Sequence, residues 1–501
     1  MMPAASGMRP QGPTFRHRER TAVKHGRITN MYDRILRHAH VVDPLNHIDG
    51  TADVAVSNGR IAAVAPQIQE AAAEEEDCSG LVLMPGLIDP HLHLGTMFGS
   101  PYGSRMAALA GVTTCLDMAG PVDDILKHIK QKGAGINVAM LSGFSPKEEF
   151  GTAEPTKSQI ETAVESAVKK GALGLKIMGG HWPLALSVCR DVVDSCNEQN
   201  AYVAWHAGSL TAGSNLKGME EVIETVKGKR LHLAHINAYC RGRVKSVEAE
   251  TARAIELLTE NPNIWCESYV SPMNGTILTC DGPDHKGEVI DHVTRTCLES
   301  FNCPTTYDGI VQAIRNHQLF VVKDTGFVSE LIEGDEALAY WQAAGTATAG
   351  SFPVNPAYSR FVLAQAKRPD GSFVVDAIST DGGCIPRNVT IAVGLSLMKF
   401  GALTLPEFVL KTSVNPARHL RLADRGHLTP GAAADITLFD LERQKAVETI
   451  VAGKTVMKQG EITGSSATFI TTAAGVEHLG SLGFETIAVD LSAPEPERIH
   501  L

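Results

Sequence analysis

The chain of 501 residues lacks a long apolar run, a dense basic block and a tight cluster of cysteines. No stretch approaches the ~20 consecutive apolar residues that a membrane helix requires. The first thirty positions also hold no apolar signal core, so a cytoplasmic protein without membrane contact is expected. The formal net charge of −11 comes without clustered lysines or arginines, and "FRHRER" near the start reads as part of a solvated tail. Neutralising phosphates takes such clusters, so nucleic acid is not an expected partner. The ten cysteines are scattered along the chain. That pattern predicts reduced, buried thiols rather than a disulfide framework, with metal ligation open to a few of them.

With 44% hydrophobic residues the chain can bury a large core, enough for two to three domains or one barrel of ~250 residues with additions. Residues 1–30 read as a flexible, polar tail. "ADVAVSNGRIAAVAP" alternates apolar residues on both sides of Asn58-Gly59, the pair that favours a two-residue hairpin turn. A second β-rich stretch, "GHLTPGAAADITLFDLERQKAVETIVAGKTVMKQG", lies far downstream. Together they predict one small β-sandwich domain assembled from residues 31–84 and 423–465. Between them, eight apolar runs alternate with helical patterns: "GLIDPHLH", "VTTCLD", "VAMLSG", "LGLKIM", "YVAWHA", "LHLAHI", "IWCESYV" and "FVVDAIST". The expected fold is α/β, a (β/α)8 TIM-like barrel over residues 85–422. More than a hundred residues separate Val270 from Val374, so a lid-like insertion of about 271–373 is expected on the face where barrels carry active sites. Residues 466–501 read as a C-terminal extension.

The run "DPHLHLG", residues 89–95, interrupts a buried strand with two histidines. Alternate strand residues share a face, so His91 and His93 can aim two nitrogens at one point. Other strand ends repeat the signal: Lys176 on the fourth, His206 on the fifth, His235 on the sixth and Asp381 just past the eighth. Strand ends of a parallel barrel surround one mouth, so these residues converge there. Structural histidines would have no reason to prefer that end.

The ordered series "DVAVSNGRIAAV", "MPGLIDPHLH", "GVTT", "GLKIM", "STDG", "SVNPARHL" and "GHLTPGAAADITLFD" resembles the amidohydrolase superfamily. The resemblance implies a binuclear, usually zinc, centre, with His91, His93 and Asp381 on one metal and His206 and His235 on the other. It implies that Lys176 bridges them as a carbamate derived from carbon dioxide, since a free ammonium has no lone pair to offer. It implies an enzyme that hydrolyses C–N bonds through a metal-bridged hydroxide, with Asp381 as the catalytic proton carrier.

Among subtypes, the mononuclear purine deaminases carry "HAGE" after the fifth strand, whereas this chain has "HAGS", with Ser209 in place of the acid. D-aminoacylases use a cysteine in metal bridging; Cys115 lies too early on its strand for that, and Lys176 makes it redundant. "AHIN" around His235 and Asn237 is similar to isoaspartyl dipeptidases, and hydantoinases and dihydroorotases share the ligand set. The expected substrate is a small molecule with a peptide-like, non-ring amide. The long insertion and spare thiols also look similar to amidohydrolases that remove leucine in bipyridine antibiotic biosynthesis. A cyclic amidase and a non-catalytic scaffold of the same fold stand as alternatives. Arg387, Tyr239 and Arg241 are candidate substrate contacts, Arg387 as a fork for a carboxylate. "CDGPDH" suggests a third metal at Cys280, Asp284, His285 and Cys384, with Cys240 and Cys266 also near strand ends. Assembly of the barrel into a homo-oligomer is expected.

Overall fold

The computed structural model describes residues 31–95, 100–494 and 496–501; the tail expected over 1–30 lies outside them. Eight strands, numbered here in chain order, form the barrel wall: β1 (Leu87–His93), β2 (Val112–Ala119), β3 (Ala134–Gly143), β4 (Gly174–Met178), β5 (Tyr202–His206), β6 (Leu231–Leu233), β7 (Ile264–Tyr269) and β8 (Ala377–Ser379). Each pairs in parallel with the next. Past β8 the chain returns to β1: the Asp381 N–H donates to the His91 carbonyl at 2.8 Å, and Gly382 and Gly383 pair with Leu92 and His93. The fold is α/β, and the eight apolar runs of the sequence supply these strands. Strands covered on both faces read as continuous apolar runs, and β2, "VTTCLDMA", is buried at every position.

The helices between strands start and stop where local chemistry dictates. Thr156 and Gln159 form a capping box at the start of Lys157–Lys169, satisfying two amides that the first turn leaves open. Gly171 then turns the chain with φ of +103°, a conformation natural to glycine. A Cβ there would also meet Leu479 at 2.7 Å.

Nine strands from both ends of the described chain form one hydrogen-bonded sheet beside the barrel. Ile48–Ser57 and Arg60–Ala65 are joined through Asn58 and Gly59, both at positive φ, as a two-residue hairpin requires. Val82–Pro85 pairs antiparallel with Ile436–Asp440, which ties the early and late segments together around Leu36, Val54, Leu83 and Leu438.

The expected lid is a folded unit. Asn274–Ile277, Ala349–Phe352, Phe320–Asp324 and Ser329–Ile332 make an antiparallel four-stranded sheet, and its helices close a separate core around Leu298, Ile314, Trp341 and Phe352. The C-terminal extension is also built in. On β3, short β4 reaches only Leu141–Gly143, and Ser466–Thr471 pairs in parallel with the stretch of β3 from Ala134 to Ala139. A strand edge that would otherwise be open is thereby covered. Among the described residues, no helix is long and apolar enough to cross a membrane.

Candidate metal centre

His91 and His93 leave β1 on one face and meet Asp381. His93 Nε2 lies 3.0 Å from Asp381 Oδ1, and His91 Nε2 lies 3.4 Å from the same oxygen. Asp381 has φ of +51°, uncommon for a residue with a Cβ. Its neighbours hold it there: the Thr380 hydroxyl and amide donate to buried Asp89, and the Asp381 amide is bonded to β1.

The second pair stands on β5 and just past β6. A Cβ on Gly180 would fall 2.1 Å from His206 Nε2, so glycine after β4 makes room for the ring. His206 Nε2 meets the Ser214 hydroxyl at 2.8 Å, leaving Nδ1 to face His235 Nε2 at 3.2 Å. His235 has φ of +36°, and its amide donates to Glu267 Oε1 at 2.7 Å.

Glu267, missed in the sequence, links both pairs. It is fully buried on β7, with Oε1 also 2.7 Å from His91 Nδ1 and Oε2 accepting from the Ser379 hydroxyl. A carboxylate on Nδ1 fixes the His91 tautomer and leaves Nε2 to act as a ligand. The available signal was an acid inside the otherwise apolar "IWCESYV".

Burial pushes His91, His206 and His235 well below the usual imidazole range, giving the neutral form that binds metal. Burial opposes ionisation of Asp381, but the Arg387 guanidinium and the hydrogen bond from His93 overcome it and hold the carboxyl well below its ordinary range. His91, His93 and Asp381 each offer an atom within 4.8 Å of the others, a set suited to a divalent transition metal. The His206–His235 separation fits as well, because two nitrogens at ~2.0–2.1 Å from a tetrahedral ion lie about 3.3 Å apart. Lys176 is buried on β4, and among the described residues its Nζ has only the Met118 thioether, at 3.4 Å. Burial brings this amine down to about 8 against the pull of Glu267, Asp381 and Asp117.

These side chains line a cavity of about 400 Å³ together with Asn274, His292, Thr296 and Glu299 of the insertion. Arg241 and Arg387 line it too. Arg387 is already engaged: Nη2 pairs with Asp381 Oδ2 at 2.7 Å, and Nη1 donates to the Met273 carbonyl at 2.9 Å. It therefore orients Asp381 rather than standing open to a substrate. Tyr239 is buried, with its hydroxyl accepting from the Ala207 amide at 2.8 Å, so its polar tip is committed to the fold. Ser209 bonds Glu221 and Thr211, and Asn237 accepts from Ser268 and Tyr269; both brace loops. Cys115 packs in the barrel core.

The residues expected to hold a third metal do not converge. Cys280 packs in the insertion core, where burial pushes its thiol up to about 11. His285 Nδ1 lies 3.4 Å from the Cys280 carbonyl oxygen, and Asp284 forms the turn beside it. Cys384 packs instead with Ala119, Met178 and Ile385 near β1 and β4, while Cys240 and Cys266 are buried in the barrel core. Apolar packing separates these thiols into different clusters.

Residues 82–263 and 359–463 match the amidohydrolase family. The chain belongs to that family. Much of the insertion falls in the unmatched stretch between the two segments. A dihydroorotase of Aquifex aeolicus (strain VF5) is 33% identical over 458 residues, 83% of this chain and 91% of that protein. A dihydroorotase of Elusimicrobium minutum (strain Pei191) is 26% identical over 453 residues, 82% of this chain and 88% of that protein. Among solved structures, N-acyl-D-glutamate deacylase of Bordetella bronchiseptica, complexed with zinc and a phosphonate inhibitor, superposes with a TM-score of 0.62 at 18% identity, covering 87% of this chain and 99% of its own. Dihydropyrimidinase of Brevibacillus agri does so with a TM-score of 0.59 at 16% identity, covering 88% and 99%. These structures share the fold. As an amidohydrolase with this donor set, the chain is a metal-dependent hydrolase.

Proposed function

We propose that this amidohydrolase cleaves an exocyclic, peptide-like amide, in an N-acyl amino acid or an aminoacyl-extended small molecule. What favours this reading is the cavity. Its lining joins the metal donors to Asn274, His292, Thr296 and Glu299 of the insertion, and its volume of about 400 Å³ has room for an acyl or aminoacyl arm as well as the amide. An aminoacyl-extended bipyridine that releases leucine is one substrate of this class.

His91, His93 and Asp381 would hold one zinc, and His206 and His235 the other. Lys176 would bridge them as a carbamate, its amine adding to carbon dioxide with loss of a proton. The depressed pKa and the thioether partner support that role, since a buried ammonium needs stronger acceptors. When bound, the two ions supply a Lewis acid for the carbonyl and lower the pKa of water from ~15.7 towards about 7. Asp381 takes the proton released as water attacks the carbonyl carbon and delivers it to the departing nitrogen. The C–N bond then breaks to give an acid and an amine. Arg387 keeps Asp381 aimed and ionised until that transfer.

A cyclic-amidase reading is favoured by the dihydroorotase relatives. The test is turnover by zinc-loaded protein, with metal counted by elemental analysis. Hydrolysis of N-acyl amino acids or leucyl amides, at about two zinc per chain, is expected. Turnover of dihydroorotate, hydantoin or dihydrouracil in preference to every linear amide would overturn the proposal in favour of the ring reading.

A further inference from the structure

Three arginines line the cavity, and they differ in what answers their charge. Arg387 is paired with Asp381 at 2.7 Å. Arg243 is exposed and reaches the Thr296 carbonyl and the Ser300 hydroxyl. Arg241 is half-buried and held by neutral oxygens alone: Nε donates to Asn355 Oδ1 at 2.8 Å, and Nη2 to Asn274 Oδ1 at 2.9 Å and to the Tyr269 hydroxyl at 3.2 Å. Among the described residues no carboxylate forms an ion pair with it, Glu299 on the same cavity included, and Nη1 has no hydrogen-bond acceptor.

The loop that carries Arg241 is fixed from behind. Buried Glu250 accepts from the amides of Gly242 and Val244, both at 2.6 Å, and from that of Lys245 at 3.0 Å. Arg241 therefore combines a preset direction, partial desolvation and an unanswered positive charge, and it lines the cavity that it shares with Asp381 and His235. A cross-link between barrel and insertion would need the hydrogen bonds but not the charge. Withdrawing a cation from water without a counter-charge is unfavourable, and a bound anion restores the balance.

We infer that Arg241 is a specificity-determining residue that binds a carboxylate on the substrate, beside the amide to be cleaved. The inference builds on the proposed hydrolysis and narrows it: the substrate is an acidic amide such as an N-acyl amino acid with a free carboxyl group, and uncharged amides are poor ligands.

Paired probes test this without requiring turnover. Racemic N-acetylleucine and its uncharged partner, N-acetylleucinamide, are titrated calorimetrically into the zinc-loaded protein and into its Arg241→Met and Arg241→Lys variants. The carboxylate is expected to bind the wild type more tightly than the amide. Arg241→Met should weaken carboxylate binding by about 30- to 1,000-fold, as for loss of one partner of a desolvated charge pair, and should leave amide binding and zinc content unchanged. Arg241→Lys should restore part of the preference, because charge returns without the fork. Equal binding of the two probes, a preference that survives in Arg241→Met, or no binding of either up to about 20 mM, would overturn it. If the preference depends on Arg241 and no linear amide is hydrolysed, the carboxylate site stands and the proposed reaction falls. If Arg241→Met loses zinc, Asn355→Ala carries the test: it loosens the fork, keeps its charge, and should weaken only the carboxylate probe.

Discussion

His232 and His235 belong to one short segment around β6, are both buried, and do opposite things. His232 lies within the strand, where Nδ1 meets the Tyr202 hydroxyl at 2.7 Å, and that hydroxyl meets His419 Nε2, also at 2.7 Å. His419 is stacked on Trp265 with ring centres 4.0 Å apart. His235 has left the strand at positive φ and turns Nε2 towards another imidazole nitrogen. Burial lowers the basicity of both, His232 to about 3. Burial and a depressed pKa therefore do not separate a structural histidine from a ligand. The partner does: the fold meets His232 with a hydroxyl on Nδ1 and the Glu267 carboxylate near Nε2, whereas it meets His235 Nε2 with a lone pair that only a cation or a proton can reconcile.

Replacing each histidine should break the symmetry between them most visibly. His235→Ala is expected to lose about one zinc per chain and more than ~100-fold of activity, exceeding the effect of removing an outer partner. His232→Phe should keep both metals while lowering the urea midpoint by an amount worth about 1–3 kcal/mol, since the Tyr202 hydroxyl loses a partner. Equal loss of zinc in the two variants would show that the distinction is wrong. Lys176→Ala belongs with His235→Ala: activity disappears, and short-chain carboxylic acids added to the assay restore part of it. A fully active Lys176→Ala protein would remove the bridging carbamate.

Glu267 joins the two regions, with Oε1 2.7 Å from His91 Nδ1 and 3.5 Å from His232 Nε2. Glu267→Gln keeps the shape and removes the charge that holds the ligand tautomer. Zinc affinity, measured by competition with a chromogenic chelator, should fall by about 10- to 100-fold. Unchanged affinity would mean that the backbone alone orients His91.

Much of this was legible because strand ends are where sequence order and space coincide. Residues from β1, β4, β5, β6 and the end of β8 share a mouth whatever the loops do, so His91, His93, Lys176, His206, His235 and Asp381 could be placed by counting strands. Glu267 was not, because one acid within an apolar strand carries no period. Partners across the fold were equally hidden: nothing near Arg387 in the chain says that Asp381 takes its charge, and nothing near Cys280 says that its thiol faces a separate core. The insertion's sheet was concealed by turn-rich strands of four or five residues. Ser466–Thr471 could be recognised as part of the barrel only by knowing how short β4 is against β3.

The smallest expected effect contrasts two buried lysines. Lys176 faces a thioether beside a cavity, whereas Lys411 lies in the π-helical turn Leu410–Val414, its Nζ donating to the Val375 carbonyl at 2.6 Å and 4.1 Å from the Phe373 ring centre. Burial brings Lys411 down to about 7, with Asp376 opposing. In the unfolded chain such a group titrates near ~10.4. Between these values the unfolded state holds a proton that the folded state has released, so stability rises with pH through that window and is lost as pH falls through the folded value. The slope for one group is at most about 1.4 kcal/mol per pH unit. Urea midpoints at pH 6.5, 7.5 and 8.5 for wild type and Lys411→Met should therefore diverge, the wild type gaining on the variant at each step. Parallel curves would mean that Lys411 keeps its proton on the carbonyl and the ring. Lys176 would then be the one buried lysine of the pair that gives it up, which would set the amine at the metal centre further apart from the packing lysine.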